Sequence, residues 1–319
     1  MQISGREAIT AVYGLGFQCQ RVTFITISWL SCSALTRNIN AAEWKDALSP
    51  SNASIPAAPF DSVKWRDDFH GALKEAEQTG APLLVTWRCL PCKQCAAFDK
   101  NVLEGSANLT PLLKQFVTVR LTDAAKLDER FFPYRTHQDL DLSWWAYMLS
   151  SNGSLYGVFG GKDHVSDATR ISEAAFVNTL QRTLEHHYDP RREEWNIDGP
   201  APRSEQPPRT PSDSTSFRKF GDTRPWLKKQ ECFHCHQVGD LLNFEKIDSK
   251  KFRIEHLSQP WPLPENVGIE VDRDHGLRVI MVKKESPAAS IGMQVGDELA
   301  MAGNTKLFGQ ADLRGALHR

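Results

Sequence analysis

The chain of 319 residues is 40% hydrophobic and 24% charged, and its 38 Lys and Arg against 39 Asp and Glu leave a net charge of −1. That length suits two or three domains, each with a core of its own, and the composition is that of a folded globular chain. No basic patch stands out, which sets nucleic acid aside as an expected partner.

Residues 1–45 read as a signal peptide and leader. Arg21 precedes an apolar run from Val22 to Leu30 that is too short to span a bilayer, and Asn40-Ala41-Ala42 offers small residues for cleavage. The pattern predicts export to the periplasm or another extracytoplasmic space, with no transmembrane helix in the mature chain. The alternative is a buried N-terminal helix. Residues 46–62, rich in Pro, Ala and Ser, read as a linker.

Residues 63–188 carry the order helix, strand, helix, strand, hairpin, helix. Phe69, Leu73 and Ala76 at helical spacing predict a helix over 65–78, and the apolar run over 81–87 predicts a buried strand. A helix over 93–103 and a strand over 116–121 follow. Asn152-Gly153 then joins strands over 144–149 and 154–159, and Phe176, Leu180 and Leu184 mark one side of a helix over 172–184. Such an order predicts an α/β domain, a mixed sheet flanked by helices. Residues 189–218 are polar and Pro-rich and read as a second linker. Residues 219–261 hold Cys232-Phe233-His234-Cys235-His236, and a third region spans 262–319.

Five of the seven cysteines fall in two tight groups, which points to chemistry rather than to a dispersed disulfide framework. The first group follows the predicted strand as Trp87-Arg88-Cys89-Leu90-Pro91-Cys92-Lys93-Gln94-Cys95. A CxxC at a strand-to-helix junction sets a thiol against the positive end of a helix dipole, which favours the thiolate. In this reading Cys89 attacks a substrate disulfide and Cys92 resolves the mixed disulfide. Cys95, one turn further on, is a second resolving thiol, a metal or cluster ligand, or a small buried residue.

The second group fits the CxxCH pattern of c-type haem attachment, with Cys232 and Cys235 as thioether donors and His236 as iron ligand. A disulfide between the two cysteines, or a zinc site from Cys232, Cys235, His236 and His256, fits the same residues. His256 and Met281 are the candidate distal ligands of a haem iron.

The strand, Trp87, Cys89-Leu90-Pro91-Cys92-Lys93 and the later Asn152-Gly153 hairpin resemble the thioredoxin family, which implies that fold and thiol–disulfide chemistry. The sequence departs from that pattern in three places. Arg88 separates Trp87 from Cys89, no carboxylate lies on Leu83-Leu84-Val85, and Asp141-Leu142-Ser143-Trp144 lacks the family's proline. Further on, Ser286-Pro287-Ala288, Gly292 and Gly296-Asp297 between short apolar runs resemble bacterial PDZ domains. That resemblance implies a mainly-β C-terminal domain without its last strand, binding a protein or peptide C-terminus through Val267, Gly268, Ile269 and Leu313. The three segments in this order are similar to the thioredoxin-like/PDZ (seleno)protein family of bacteria. The resulting expectation is an exported thiol–disulfide redox protein acting on a disulfide-bearing substrate. A haem electron-transfer or sensor protein and a PDZ scaffold without catalysis are the alternatives.

Overall fold

Helix α1 (Phe69–Thr79) starts where the Asp68 side chain accepts the His70 N–H and turns Phe69, Ala72 and Ala76 inward, one apolar stripe at helical spacing. The structure is a computed structural model; it describes residues 22–25, 54–88, 90, 92–140, 142–162, 172–192, 198, 202, 207, 209–223, 233–253, 261–303 and 305–318. Strand β1 is Val22–Ile25, within the leader. The alternative of a helix there does not hold for these four residues.

Strand β2 (Leu83–Trp87) is buried along its whole length. It pairs in parallel with β3 (Val117–Leu121) and antiparallel with β4 (Ser143–Leu149), and β4 pairs antiparallel with β5 (Leu155–Lys162). The strand order is β3-β2-β4-β5, the mixed sheet that the order of elements predicts. Alternation divides the core between its two faces. Leu83, Val85, Trp87, Trp145 and Tyr147 pack with α1 on one face. Leu84, Trp144, Ala146 and Met148 pack on the other with α2 (Lys93–Phe98), α3 (Leu109–Leu113) and α5 (Glu173–His187). A short α4 (Tyr134–His137) leads toward β4.

The end of α5 carries a buried polar chain. His187 Nε2 contacts Gly80 O at 2.8 Å and Nδ1 contacts the Tyr156 hydroxyl at 2.8 Å, so the neutral ring donates to the carbonyl and accepts from the phenol. Burial pushes the His187 pKa down from 6.5 to about 4. Between those values the unfolded chain binds the proton and the folded chain does not. Stability is therefore full above pH 6.5 and falls as the pH drops, by on the order of 3 kcal/mol at pH 4. Urea titrations across that range show the slope, and His187→Gln flattens it.

Residues after the second predicted linker do not stand apart. Helices α6 (Phe217–Asp222) and α7 (Cys235–Asp248), with Phe233 just before α7, bring Phe220, Phe233, Val238 and Leu241 into the buried cluster that holds Trp87 and Tyr147. The C-terminal region is built from β6 (Ile269–Val271), β7 (Val279–Val282), α8 (Pro287–Ser290), β8 (Glu298–Ala302), β9 (Thr305–Lys306) and α9 (Gln310–His318). β6 pairs with β7, β8 pairs with β9, and β1 adds to β8 in parallel.

Helix α9 also seals the other domain. β5 is the sheet's edge strand, and an edge presents unpaired amides. Asp312 Oδ1 accepts the Val158 N–H at 2.8 Å, while its Oδ2 accepts the N–H groups of Phe308 at 2.9 Å and Gly309 at 3.1 Å. Asp312→Ala leaves three amides unsatisfied and is expected to cost about 3 kcal/mol in chemical denaturation.

Candidate redox site

The first cysteine group follows β2. Arg88 extends the pairing by donating its N–H to Leu121 O at 3.2 Å, and Leu90 stands half exposed. Cys89 and Pro91 lie outside the described residues. Cys92 is the N-cap of α2: its backbone is extended and its sulfur accepts the Cys95 N–H at 3.2 Å. Cys95 is fully buried and Cys92 partly exposed. Their sulfurs are at disulfide-bonding distance, with Cα atoms 5.3 Å apart. Of the expectations for Cys95, burial and pairing with Cys92 are what the structure shows. The pair is asymmetric, Cys92 partly exposed at the start of a helix and Cys95 buried.

Below the pair lies an acid that sequence reasoning missed. After Phe98 the helix widens into a π-helical turn, Asp99–Leu103, and Asp99 is buried. Its Oδ1 accepts the Trp144 indole N–H at 2.9 Å, and its Oδ2 lies 2.5 Å from Arg88 Nε and 3.5 Å from Arg120 Nε. Arg120 also reaches Glu104 at 2.9 Å and lies over the Trp65 ring at 4.5 Å. Two guanidinium groups therefore share one buried carboxylate. The signal was available in the spacing: Cys92, Cys95 and Asp99 recur at i, i+3 and i+7, one face of a helix.

Trp144 is the second residue of β4, in the stretch without the family's proline. It is fully buried against Phe98, with ring centroids 4.4 Å apart, yet its φ is 61°, the left-handed region that bulky residues avoid. Gly160 on β5 makes room for it, since a Cβ there would stand 2.3 Å from Trp144 O. The tryptophan's bond to Asp99 and its packing on Phe98, Phe159 and Phe176 offset the strain.

Of the CxxCH residues, Cys232 lies outside the described residues, as does His256. Cys235 is the first residue of α7, His234 its N-cap, and His236 is exposed. Phe233, between the two cysteines, is buried. It donates its N–H to Asp123 Oδ1 at 3.2 Å and accepts the Ala124 N–H at 3.0 Å. Met281 lies on β7, in the C-terminal region.

Among the residues expected to bind peptide, Ile269 and Leu313 are fully buried in one cluster, and Val267 packs against it. Gly268 has φ 87°, and a Cβ there would meet that of Ser286 at 2.1 Å. Its N–H already donates to Glu265 O at 3.0 Å. The structure thus gathers these four residues around one small core. Among the described residues no helix is long and apolar enough to cross a membrane.

A family model of thioredoxin-like domains matches residues 64–140, from the approach to α1 through both cysteines of the pair, β3 and α4. No curated protein matches the chain at a significant level. Residues 64–140 are a thioredoxin-like domain, and the Cys92–Cys95 pair sits at its strand-to-helix junction.

Proposed function

We propose that the protein is an exported thiol–disulfide oxidoreductase in which Cys92 attacks and Cys95 resolves. The observation that carries this reading is the partly exposed Cys92 at the start of α2, its sulfur at bonding distance from that of the buried Cys95. It moves the assignment one cysteine along from the Cys89–Cys92 pairing expected from the sequence. In the reduced protein the Cys92 thiolate attacks a substrate disulfide, and one substrate sulfur leaves as a thiolate. Cys95, deprotonated, then displaces the second substrate sulfur and closes the Cys92–Cys95 disulfide. The substrate is reduced by two electrons and the pair is oxidised by two.

The half-exposed Leu90 gives a disulfide-bearing protein an apolar contact beside the pair. Export is supported by the leader pattern, and recruitment of a peptide C-terminus by the Val267-Gly268 turn that leads into Ile269 of β6. The test is reduction of a disulfide-linked peptide by the pre-reduced protein, followed alongside the loss of its own thiols. Absence of exchange in the wild-type protein defeats the proposal.

Haem c at Cys232 and Cys235 is the competing proposal, favoured by the exposed His236 at the first turn of α7. There His236 would hold the iron, and the group would supply one-electron transfer. Phe233, between the two cysteines, is already committed to the domain core. A Soret band from protein matured with the haem-attachment machinery supports it, and a featureless visible spectrum sinks it.

A further inference from the structure

Arg314 of α9 joins the C-terminal region to the thioredoxin-like domain through a largely buried ion pair, its guanidinium 2.9 Å from Asp139 Oδ2. The same group donates to Pro262 O at 2.9 Å and Trp261 O at 3.2 Å, so it is fixed at its own end as well. Ala311, three residues earlier on α9, packs against the buried cluster on which Leu140, Leu142 and Cys92 also lie.

Asp139 stands where the chain enters β4. Its carbonyl accepts the Leu142 N–H at 3.1 Å, and Leu142 O accepts the Trp145 indole N–H at 3.2 Å. β4 runs antiparallel to β2 with Trp145 opposite Trp87, so the chain enters β4 beside the point where the cysteine segment leaves β2. Trp144 then packs on Phe98, the last residue of α2, and bonds Asp99, which directly follows it. Only five positions (144 − 139) separate the residue held by α9 from the residue held by the helix of the two sulfurs. The φ of 61° at Trp144 strains that short stretch, and a strained conformation persists only where its surroundings hold it.

From this chain of contacts we infer that Arg314 is a positioning residue of the Cys92–Cys95 pair, through which the C-terminal region helps to hold the two sulfurs at bonding distance. The inference rests on the reading of Cys92–Cys95 as a redox pair. A disulfide closes readily when folding has already brought its two sulfurs together. Releasing Asp139 lets the entry to β4 and the Trp144 contact with α2 relax. The sulfurs then meet for a smaller fraction of the time, and the dithiol gains relative to the disulfide. Exchange with glutathione reads this balance: the protein dithiol and one glutathione disulfide become the protein disulfide and two glutathione thiols, with two electrons passed between them.

The experiment equilibrates the full chain and its Arg314→Gln, Asp139→Asn and doubly substituted forms with mixtures of reduced and oxidised glutathione. The Cys92 and Cys95 thiols are then alkylated and counted by peptide mass. Each single substitution is expected to move the equilibrium toward the dithiol by about threefold or more, the size of coupling that such contact networks carry. The double substitution moves it no further than the larger single one, since both remove one contact. Urea midpoints of the oxidised proteins separate positioning from stability: midpoints that fall while the equilibrium stays within about twofold of wild type overturn the inference. So does a shift in Arg314→Gln that Asp139→Asn does not share, because Arg314 then acts through Trp261 and Pro262 instead. Asp139→Asn leaves those two carbonyl bonds in place and carries the test if Arg314→Gln does not fold. A wild-type pair that exchanges reversibly and that neither substitution moves sinks the positioning role and leaves the oxidoreductase reading standing. A wild-type chain with no reversible Cys92–Cys95 disulfide sinks both.

Discussion

Replacing Cys92 by Ser is expected to lower peptide-disulfide reduction by about a hundredfold or more, since the attacking sulfur is gone and the remaining Cys95 is buried. Cys95→Ser is expected to lower turnover as far, with a different signature. Attack still occurs, the mixed disulfide is not resolved, and a covalent Cys92–substrate adduct builds up that a reducing agent releases. Cys89→Ser keeps turnover within a few-fold in this reading. Assays of the three variants with adduct detection by mass separate the two pairings. If Cys89→Ser abolishes turnover while Cys95→Ser spares it, the attacking thiol is Cys89, as the sequence pattern alone suggests.

The second large effect is on stability. Asp99→Ala removes the carboxylate that faces both Arg88 and Arg120 and accepts the Trp144 indole N–H. Taking away one member of a buried charge cluster leaves its partners desolvated and unmatched, a loss of about 3 kcal/mol or more. Asp99→Asn keeps an acceptor for the indole N–H but not the charge, and is expected to fall between wild type and Asp99→Ala. Urea midpoints of the three proteins test that order. Equal midpoints would show that the arginines find other acceptors.

Much of the architecture was legible in the sequence because it rests on local rules. Phe69 and Ala76 at helical spacing, the continuous apolar run of β2 and the Asn152-Gly153 turn each announce their element without knowledge of any partner. The cysteine segment at the strand-to-helix junction was legible for the same reason. Which two of its three cysteines pair was not. Cys89-x-x-Cys92 and Cys92-x-x-Cys95 have identical spacing, and the choice depends on where α2 begins. The structure starts it at Lys93, so Cys92 becomes the cap and Cys95 turns inward.

The remaining features came from long-range contacts that local patterns do not encode. Asp99 shares a helix face with Cys92 and Cys95 by spacing, but its burial depends on Trp144, 45 positions away, which donates to it, and on the facing Arg88 and Arg120. Asp312 reads as one polar residue of an amphipathic helix, and the unpaired Val158 amide on the sheet edge, 154 positions away, makes it a seal. Phe233 between two cysteines reads as a spacer of the CxxCH motif, and its burial against Asp123 and Ala124 ties that motif to the thioredoxin-like domain. By itself the sequence determined the α/β order, the redox residue types and their two clusters, because periodicity and chain-neighbour spacing are local. Only the tertiary structure decided which sulfurs meet, which carboxylates are buried and where Phe233 is fastened, because buried charge and sulfur proximity depend on atoms that folding alone brings together.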